Sequence, residues 1–328
     1  MYDAIIIGAG PAGLQAAMAL SRVRRPHLII SIPNSYRNVA AAEMHTFLTR
    51  DGTPPLEFVK QAREQLNGYG FAKYVDGKVV STQKVGNDFE VKLEDGTKYN
   101  GRKVIVATGA KDVFLPVEGT AILPRLAKLG FAELWGTDIV HCVFCGGYEH
   151  RDQLCAVIGI DSPRSFQSAM SGLTVASSMQ LFPNIDNPDL VPAEMKGKLA
   201  LLEAGGFSIM PFKKITNLSK DSSSGDVVIH LSDGSQHRVD WILYRPPTVL
   251  TTPELVSQLE IELNPMGDIK VGPFHETSVA GVFAAGDCVN FLKHVPGAVN
   301  EGFLAGMGTH LQLTAEDLEI ARNAVITK

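Results

Sequence analysis

Apolar residues in this chain form short continuous runs, separated by segments with helical spacing. The run in "YDAIIIG" (residues 2–8) precedes the Ala- and Leu-rich "GPAGLQAAMALSRV" (10–23), and a second run, "HLIISI" (27–32), follows. Continuous apolar runs are typical of parallel strands buried on both faces, and the segment between them predicts a connecting helix. The chain therefore opens with a β–α–β unit.

The same order recurs later in the chain. "LCAVIGI" (154–160) predicts a strand, "SFQSAMSGLTVA" (165–176) a helix and "SSMQLF" (177–182) a second strand. Helices are also predicted from about 54 to 67 and near 193–204. Further strands are expected in "KVIVATG" (103–109), "DWILYRP" (240–246) and "GVFAAGD" (281–287), the last leading through a turn into a long helix.

Two predicted hairpins support the repetition. "DFEVKLEDGTKYN" (88–100) and "DVVIHLSDGSQHRV" (226–239) each alternate around an Asp-Gly pair, which favours a tight turn. We therefore predict an α/β fold of two nucleotide-binding, Rossmann-like, three-layer ββα domains, the second inserted in the first. The predicted bounds are 1–114 and 247–328 for the first domain and 115–246 for the second, with Pro116 and Pro246-Pro247 at the connections.

Composition and charge narrow the classes of function. The 328 residues are 45% hydrophobic and 20% charged, and the net charge is -5. A negative balance does not favour nucleic acid or an anionic membrane as partner. No apolar run reaches the length of a membrane span, and the first strand leaves no room for a signal peptide. We therefore expect a cytoplasmic protein without a disulfide scaffold.

The glycine pattern at the first strand–helix junction predicts a dinucleotide site. Gly8-Ala9-Gly10-Pro11-Ala12-Gly13 reads G-x-G-x-x-G, which provides a tight turn, a close approach to pyrophosphate and a helix–strand contact. The free N–H groups of the helix favour phosphate. The acidic residue expected at the end of the second strand is missing, and Ser31, Asn34 or Ser35 stands there instead.

A close cysteine pair is the second chemical signal. Cys142-Val143-Phe144-Cys145 has the Cys-x-x-Cys spacing that closes a disulfide across one turn. A zinc site needs four ligands, and a second close pair is missing; two ordinary buried cysteines are the other alternative. Cys155 and Cys288 are expected to be packing residues. We predict a redox pair and no metal.

Taken together, these features resemble the low-molecular-weight thioredoxin reductases over essentially the whole chain. "VIVATGA" (104–110) and "TSVAGVFAAGDC" (277–288) resemble the second and third FAD motifs of that family. The resemblance implies FAD as cofactor, Asp287 at its ribitol chain, Cys145 against the flavin, Cys142 as the exchanging thiol, and a homodimer. The cofactor-binding residues it implies are Gly8, Gly10, Pro11, Ala12, Gly13, Arg37, Asn38, His45, Val79, Ala107, Thr108, Gly109, Gly286, Asp287, Ala298 and Val299.

The resemblance extends to the gliotoxin- and holomycin-type dithiol oxidases. It rests on "SYRNVAAAEMH" (35–45) and "CVFCGGYE" (142–149). Gly146 stands where the reductases have an acidic residue and the oxidases often a histidine, so the usual proton donor is missing. His45, Glu149 and His294 are candidates for a proton relay, and His150 is a further candidate.

The second glycine turn departs from a dinucleotide site. Gly159 is followed by Asp161 where the second glycine belongs, and Pro163 removes a helix N–H. A carboxylate against pyrophosphate costs roughly several kcal/mol. The next strand leads into "FPNIDNPD" (182–189), without Arg or Lys for a 2′-phosphate. These features disfavour NADPH, although a variant turn that binds NADH stays open.

Without a pyridine nucleotide, the donor has to be a dithiol. We predict an FAD-dependent dithiol oxidase that forms a disulfide in a small sulfur-containing secondary metabolite and passes electrons via FAD to molecular oxygen, producing hydrogen peroxide. The alternative is a thioredoxin reductase-like NAD(P)H-dependent disulfide oxidoreductase. A flavin-binding protein without turnover is a third interpretation.

Overall fold

The computed structural model describes residues 1–113, 130–159 and 163–326. Its helices are Pro11–Arg22, Pro55–Asn67, Phe131–Leu134, Val143–Gly146, Pro163–Ser171, Ala193–Ala204, Pro253–Gln258 and Val295–Ile326. Its strands are β1 Tyr2–Ile7, β2 His27–Ser31, β3 Ala72–Asp76, β4 Val79–Val85, β5 Asp88–Leu93, β6 Lys98–Val106, β7 Ala110–Asp112, β8 Ile139–Val140, β9 Leu154–Ile158, β10 Ser178–Phe182, β11 Phe207–Ile209, β12 Ile215–Lys220, β13 Val227–Leu231, β14 Gln236–Val239, β15 Trp241–Leu243, β16 Thr248–Leu250 and β17 Val282–Ala284.

Contacts divide the chain into two compact units. Unit 1 comprises Met1–Val39, Thr53–Asp112 and Thr248–Lys328, and unit 2 comprises Ala40–Gly52 and Val113–Pro247. The segment 40–52, which the sequence-based bounds placed in the first domain, groups with the second. Pro116 and Asp161 lie outside the described residues.

Unit 1 is built on a mostly parallel sheet. Strands β3, β2, β1 and β6 are parallel neighbours in that order, and β17 pairs in parallel with the C-terminal part of β6. The N-terminal part of β6 pairs antiparallel with β5 in the predicted hairpin, and β5 pairs with β4. One strand thus serves both the parallel sheet and the antiparallel layer.

The apolar runs fill both faces of that sheet, as predicted. Ile5 and Ile7 belong to one core cluster, whereas Ala4 and Ile6 belong to another. Successive strand residues point to opposite faces, so a run without polar interruptions needs cover on both sides. The C-terminal helix, Val295–Ile326, gives part of that cover: a Cβ on its Gly302 would lie 2.1 Å from the Ala12 carbonyl oxygen of the first helix.

Unit 2 also combines a parallel sheet with an antiparallel one. Strands β11, β10, β9, β15 and β8 form a parallel sheet, and β12, β13 and β14 form an antiparallel one around the predicted 226–239 hairpin. The α/β prediction of two nucleotide-binding folds is therefore confirmed. The two-stranded pairing of β7 with β16 was not predicted, because three-residue strands far apart in sequence carry no periodic signal.

Candidate functional site

The glycine turn of unit 1 forms a cradle at the start of the first helix. Gly8 has φ of +112°, and a Cβ there would lie 2.2 Å from the Ala107 carbonyl oxygen. A Cβ on Gly13 would lie 2.0 Å from the Gly8 carbonyl oxygen, whereas one on Gly10 would meet no atom of the described residues within 4 Å. Gly8 and Gly13 are thus required by packing, and Gly10 faces open space.

The first helix leaves its N-terminus available for an anion. It begins at Pro11, with Ala12 in its first turn; Gly10 makes no side-chain cap, and the first turn has no acidic residue. Backbone N–H groups at a helix start, beside a glycine that faces open space, suit a pyrophosphate. On these observations the residues fit the FAD that the sequence predicts.

Two further predicted stretches meet beside this turn. The Ala107 N–H donates to the Ile7 carbonyl oxygen at 2.8 Å, which fixes 107–109 at the end of the parallel strands. A Cβ on Gly109 would lie 3.9 Å from that of Asp287, so the motifs around 104–110 and 277–288 converge. Thr108 and Thr252 share a hydrogen bond of 2.8 Å between their hydroxyl groups.

Asp287 lies in a network of charged side chains. Arg37 Nη1 lies 3.5 Å from its carboxylate, and the same guanidinium forms two hydrogen bonds with Asp112. Burial raises the pKa of Asp287, while Arg37 and Lys293 act against that shift. Arg37 is therefore held close to Asp287 by Asp112, a residue that sequence analysis missed because nothing near 112 marks it as a partner.

The other predicted cofactor contacts of unit 1 differ in exposure. Asn38 is half-buried in a turn, and Val299 is half-buried on the C-terminal helix. Val79 and Ala298 have side chains buried in the core clusters, each 8% exposed. Any contact that Val79 or Ala298 makes with a cofactor would therefore come mainly from its backbone.

Cys142 and Cys145 form a disulfide in unit 2, with Cα atoms 5.2 Å apart. Cys142 is the N-cap of the short helix Val143–Gly146 and Cys145 lies within that helix, where its N–H donates to the Cys142 carbonyl oxygen at 3.0 Å. Phe144 between them is 73% exposed. The predicted pairing is therefore present at a turn whose apolar side chain faces outward.

The glycines after the pair fit tight packing. A Cβ on Gly147 would lie 2.6 Å from the Val143 carbonyl oxygen, and one on Gly146 would lie 3.3 Å from Val140 Cγ1. Gly146 therefore packs against a core side chain. A larger residue there, such as the acid or histidine expected from the resemblance, would require the Val140 side chain to shift by a few tenths of an ångström.

The structure brings together two of the predicted relay residues. His45 Nε2 lies 3.5 Å from Glu149 Oε1, and Nδ1 lies 3.4 Å from Asp51. Glu43 is 3.8 Å away. His45 thus lies among three carboxylates, of which Glu149 is four residues beyond Cys145 in the sequence, and it is equipped to exchange protons with them.

The other two histidines make structural contacts. His294 Nδ1 accepts a hydrogen bond from the Gly297 N–H at 2.9 Å, which caps the C-terminal helix. His150 stacks on buried Trp241 at 5.1 Å, and its ring nitrogens contact the Thr137 carbonyl oxygen and Gln153. Both nitrogens of His150 are engaged and its ring anchors the segment after the disulfide, while its candidate role as proton donor stays a prediction.

The loop after β10 is tied to a neighbouring strand. The Asn184 side chain accepts from the Ile215 N–H at 2.7 Å, and Asp186 accepts from the Lys214 N–H and the Ser232 hydroxyl, each at 3.2 Å. At the end of β9, Gly159 has φ of +81°, and a Cβ there would meet no atom of the described residues within 4 Å. The polar groups of the β10 loop are thus engaged within the protein.

Neither a metal cluster nor a membrane helix was found in the described parts of the chain. No group of three or more His, Cys, Asp and Glu residues there could hold a metal ion. No helix there is long and apolar enough to cross a membrane.

Comparison with known proteins identifies related chains. A family model described as pyridine nucleotide-disulphide oxidoreductase matches residues 2–159 and 198–302. The chain is 36% identical to "Thioredoxin reductase sirT" of Leptosphaeria maculans, over 97% of this chain and 96% of the relative. It is 34% identical to "Thioredoxin reductase tcpT" of Claviceps purpurea, over 96% and 95% respectively.

A solved structure supports the same relationship. The crystal structure of HlmI superposes with a TM-score of 0.88 at 28% identity, covering 99% of this chain and 96% of that one. The predicted similarity to thioredoxin reductase-like flavoproteins is therefore confirmed along the full chain.

Proposed function

The chain belongs to the pyridine nucleotide-disulphide oxidoreductase family, and from that premise we propose that it is a dithiol oxidase acting on a small sulfur-containing secondary metabolite. It is a thiol–disulfide oxidoreductase and its cofactor is FAD, as in its thioredoxin reductase-type relatives. Bound FAD supplies a two-electron acceptor. The proposed final acceptor is molecular oxygen, which takes two electrons and two protons to give hydrogen peroxide.

The thiol steps follow from the disulfide. One substrate thiolate attacks Cys142, the Cys142–Cys145 bond breaks, and Cys145 leaves as a thiolate. The second substrate thiolate attacks the substrate sulfur of the mixed disulfide and releases Cys142. The substrate loses two electrons and two protons and gains an S–S bond, and the enzyme pair gains the two electrons that pass on to FAD.

His45 and Glu149 are the proposed acid–base groups. Deprotonation of the substrate thiols needs an acceptor near the disulfide, and Gly146 provides none. The 3.5 Å separation of His45 and Glu149 would let the imidazole take a proton while the carboxylate stabilises the cation. Both residues belong to unit 2, as the disulfide does.

The observation that carries the direction of electron flow is the loop after β10. Residues 183–190 contain no Arg or Lys, and the ammonium beside this loop, that of Lys214, lies 3.7 Å from the Asp186 carboxylate, which offsets its charge. Recognition of an NADP 2′-phosphate calls for a cation that is not already paired with a carboxylate, and the acidic group repels the phosphate. Together with Asp161 in the preceding turn of the sequence, this supports a thiol rather than a pyridine nucleotide as the donor.

The names of the relatives support a second candidate. Both fungal relatives are called thioredoxin reductase, and an NAD(P)H-dependent disulfide oxidoreductase would use the same cysteines in the opposite direction. A homodimer is proposed for either reaction, from the resemblance alone.

Anaerobic flavin absorbance separates the two candidates. The FAD-loaded protein is mixed with excess dithiothreitol or with excess NADPH, and absorbance at about 450 nm is followed. We expect bleaching with the dithiol, none with NADPH, and recovery with hydrogen peroxide when air is admitted. Prompt bleaching by NADPH at a rate above that of the dithiol would reject the oxidase in favour of the reductase.

Two cysteine variants test the route. Cys142→Ser should lower the dithiol-driven bleaching rate by at least about 10²-fold, because the disulfide is lost. Cys155→Ser is the matched control, since Cys155 is a buried free thiol in the same unit, and should keep the wild-type rate. Bleaching of the Cys142→Ser protein at the wild-type rate would contradict the proposed route.

A further inference from the structure

Two buried side chains of opposite charge lie on either side of the turn that carries Asp287. The turn joins β17 to the C-terminal helix and begins at Gly286, whose φ is +86°. Glu301 on the helix is 7% exposed, and the side chain of Lys293 in the loop is 5% exposed. Charged groups are this buried only where hydrogen bonds satisfy them, so their partners indicate their role.

Glu301 binds the start and the end of the turn. One carboxylate oxygen accepts the Gly286 N–H at 2.8 Å, and the other accepts the Asn290 side-chain N–H at 3.0 Å. Burial raises the pKa of Glu301, and the two hydrogen bonds act against that shift. A single carboxylate thus joins the residue before Asp287 to the residue three positions after it.

Lys293 binds the same turn through its carbonyl groups. Its ammonium donates to the Asp287 carbonyl oxygen at 2.7 Å and to the Asn290 carbonyl oxygen at 2.6 Å. The third donor goes to Asp268 at 3.1 Å. An ammonium has three N–H donors, and here each has an acceptor.

From these contacts we infer that Glu301 and Lys293 are positioning residues, which fix the backbone on both sides of Asp287 so that its carboxylate is held ready for FAD. On the N-terminal side of Asp287, the Gly286 N–H donates to Glu301, and on the C-terminal side the Asp287 carbonyl oxygen accepts from Lys293. The Asp287 carboxylate itself lies 3.5 Å from Arg37 Nη1. The inference rests on the assignment of Asp287 to FAD, and it does not depend on the oxidase reaction.

FAD binding to the apoprotein tests the inference. Apoprotein is titrated with FAD, and quenching of flavin fluorescence gives Kd. We expect Lys293→Met and Glu301→Ala each to raise Kd at least about tenfold, equivalent to about 1.4 kcal/mol. Glu301→Gln keeps an acceptor for Gly286 and should have a smaller effect. The double variant should be less than additive, because both residues hold one turn.

Lys270→Met is the matched control. Lys270 also pairs with one carboxylate, Glu262 at 2.8 Å, but both side chains are exposed, so Kd should stay within about twofold of wild type. Thermal unfolding of each apoprotein shows whether it folds; if Lys293→Met does not, Asn290→Ala, which removes one partner of Glu301, replaces it. A Kd within about threefold of wild type for the folded variants would overturn the inference, whatever the outcome of the dithiol and NADPH assays.

Discussion

The guanidinium of Arg37 forms two hydrogen bonds with the carboxylate of Asp112, at 3.0 and 2.7 Å. Both side chains are largely buried, 15% and 6% exposed. The pair joins the loop after β2 to the strand β7, and it holds Arg37 beside Asp287. A bidentate pair of this kind fixes both the position and the orientation of the guanidinium.

Removing one partner of this pair should destabilise unit 1. Arg37→Met leaves the Asp112 carboxylate buried without its bidentate partner, which costs about 3 kcal/mol for a pair of this burial. The urea midpoint of the FAD-free protein should fall accordingly, while Lys78→Met, at an exposed pair with Glu94, should leave the midpoint close to that of wild type. Equal midpoints for the two variants would show that the buried pair adds no more than a surface one.

The glycine turn and the strands around it could be predicted because the signal is local. Gly8, Gly10 and Gly13 lie within six residues, and each strand carries its own apolar run. The Asp112 partner of Arg37 is 75 positions away, and no pattern in one sequence links such residues. The same holds for Lys293 and Glu301, whose roles depend on how the loop folds back on itself.

Histidine roles were the least predictable part of the site. A histidine near a redox pair is compatible with proton transfer, with capping and with packing alike. His150 stacks on Trp241, 91 positions away in the sequence, whereas His294 caps a helix through Gly297, only three positions away. Of the three candidate histidines, all of which lie in the described residues, His45 is the one with ion-pair distances to several carboxylates.

Substitutions at two glycines of the first turn should affect folding and FAD binding differently. Gly10 has φ of -75°, and no atom of the residues that the structure describes lies within 4 Å of its Cβ position. Gly10→Ala should therefore leave the free energy of unfolding of the apoprotein within about 1 kcal/mol of wild type. The same variant should raise the FAD Kd at least about tenfold, because its methyl group occupies the space of the pyrophosphate.

Gly13→Ala is the counterpart. Its Cβ would lie 2.0 Å from the Gly8 carbonyl oxygen, so the apoprotein itself should lose about 2 kcal/mol or more. Thermal unfolding and FAD titration of both variants check this difference. If Gly10→Ala binds FAD like wild type, the pyrophosphate lies elsewhere.

The four cysteines should differ in alkylation after reduction. Burial raises the pKa of Cys288 to about 12 and raises that of Cys155 further, and a thiol reacts through its thiolate. Brief treatment of the reduced native protein with iodoacetamide should therefore label Cys142 and Cys145 and leave the other two unlabelled by mass spectrometry. Labelling of Cys155 at a comparable rate would contradict its burial; denatured protein, labelled at all four, is the control.

His27 should make stability depend on pH. It is fully buried; its Nδ1 contacts the Arg25 carbonyl oxygen at 2.9 Å, and Nε2 has no partner in the described residues. Burial lowers its folded pKa below the ordinary 6.5. Between those two values the unfolded chain binds the extra proton, so stability falls as pH falls, by at most about 1.4 kcal/mol per pH unit.

Urea unfolding at pH 7.5, 6.5 and 5.5 measures that slope. In His27→Gln the loss of stability on acidification should shrink. It should not vanish, because the pKa of His310 is also lowered by burial. An unchanged slope in the variant would mean that His27 does not gain its proton on unfolding.

The proposed relay predicts a rate effect that a structural role would not produce. His45→Asn should lower the rate at which dithiothreitol reduces the Cys142–Cys145 disulfide about 10²-fold at pH 7, since general base catalysis contributes about that much. Glu149→Gln should lower it less, because His45 keeps Asp51 nearby at 3.4 Å. Raising the pH should restore the His45→Asn rate toward wild type, because thiolate then forms without a base. His230 belongs to the same unit and contacts Ser219 at 2.9 Å, so the control variant His230→Asn should match the wild-type rate at every pH. A rate defect of His45→Asn that persists unchanged at high pH would assign His45 a structural role instead.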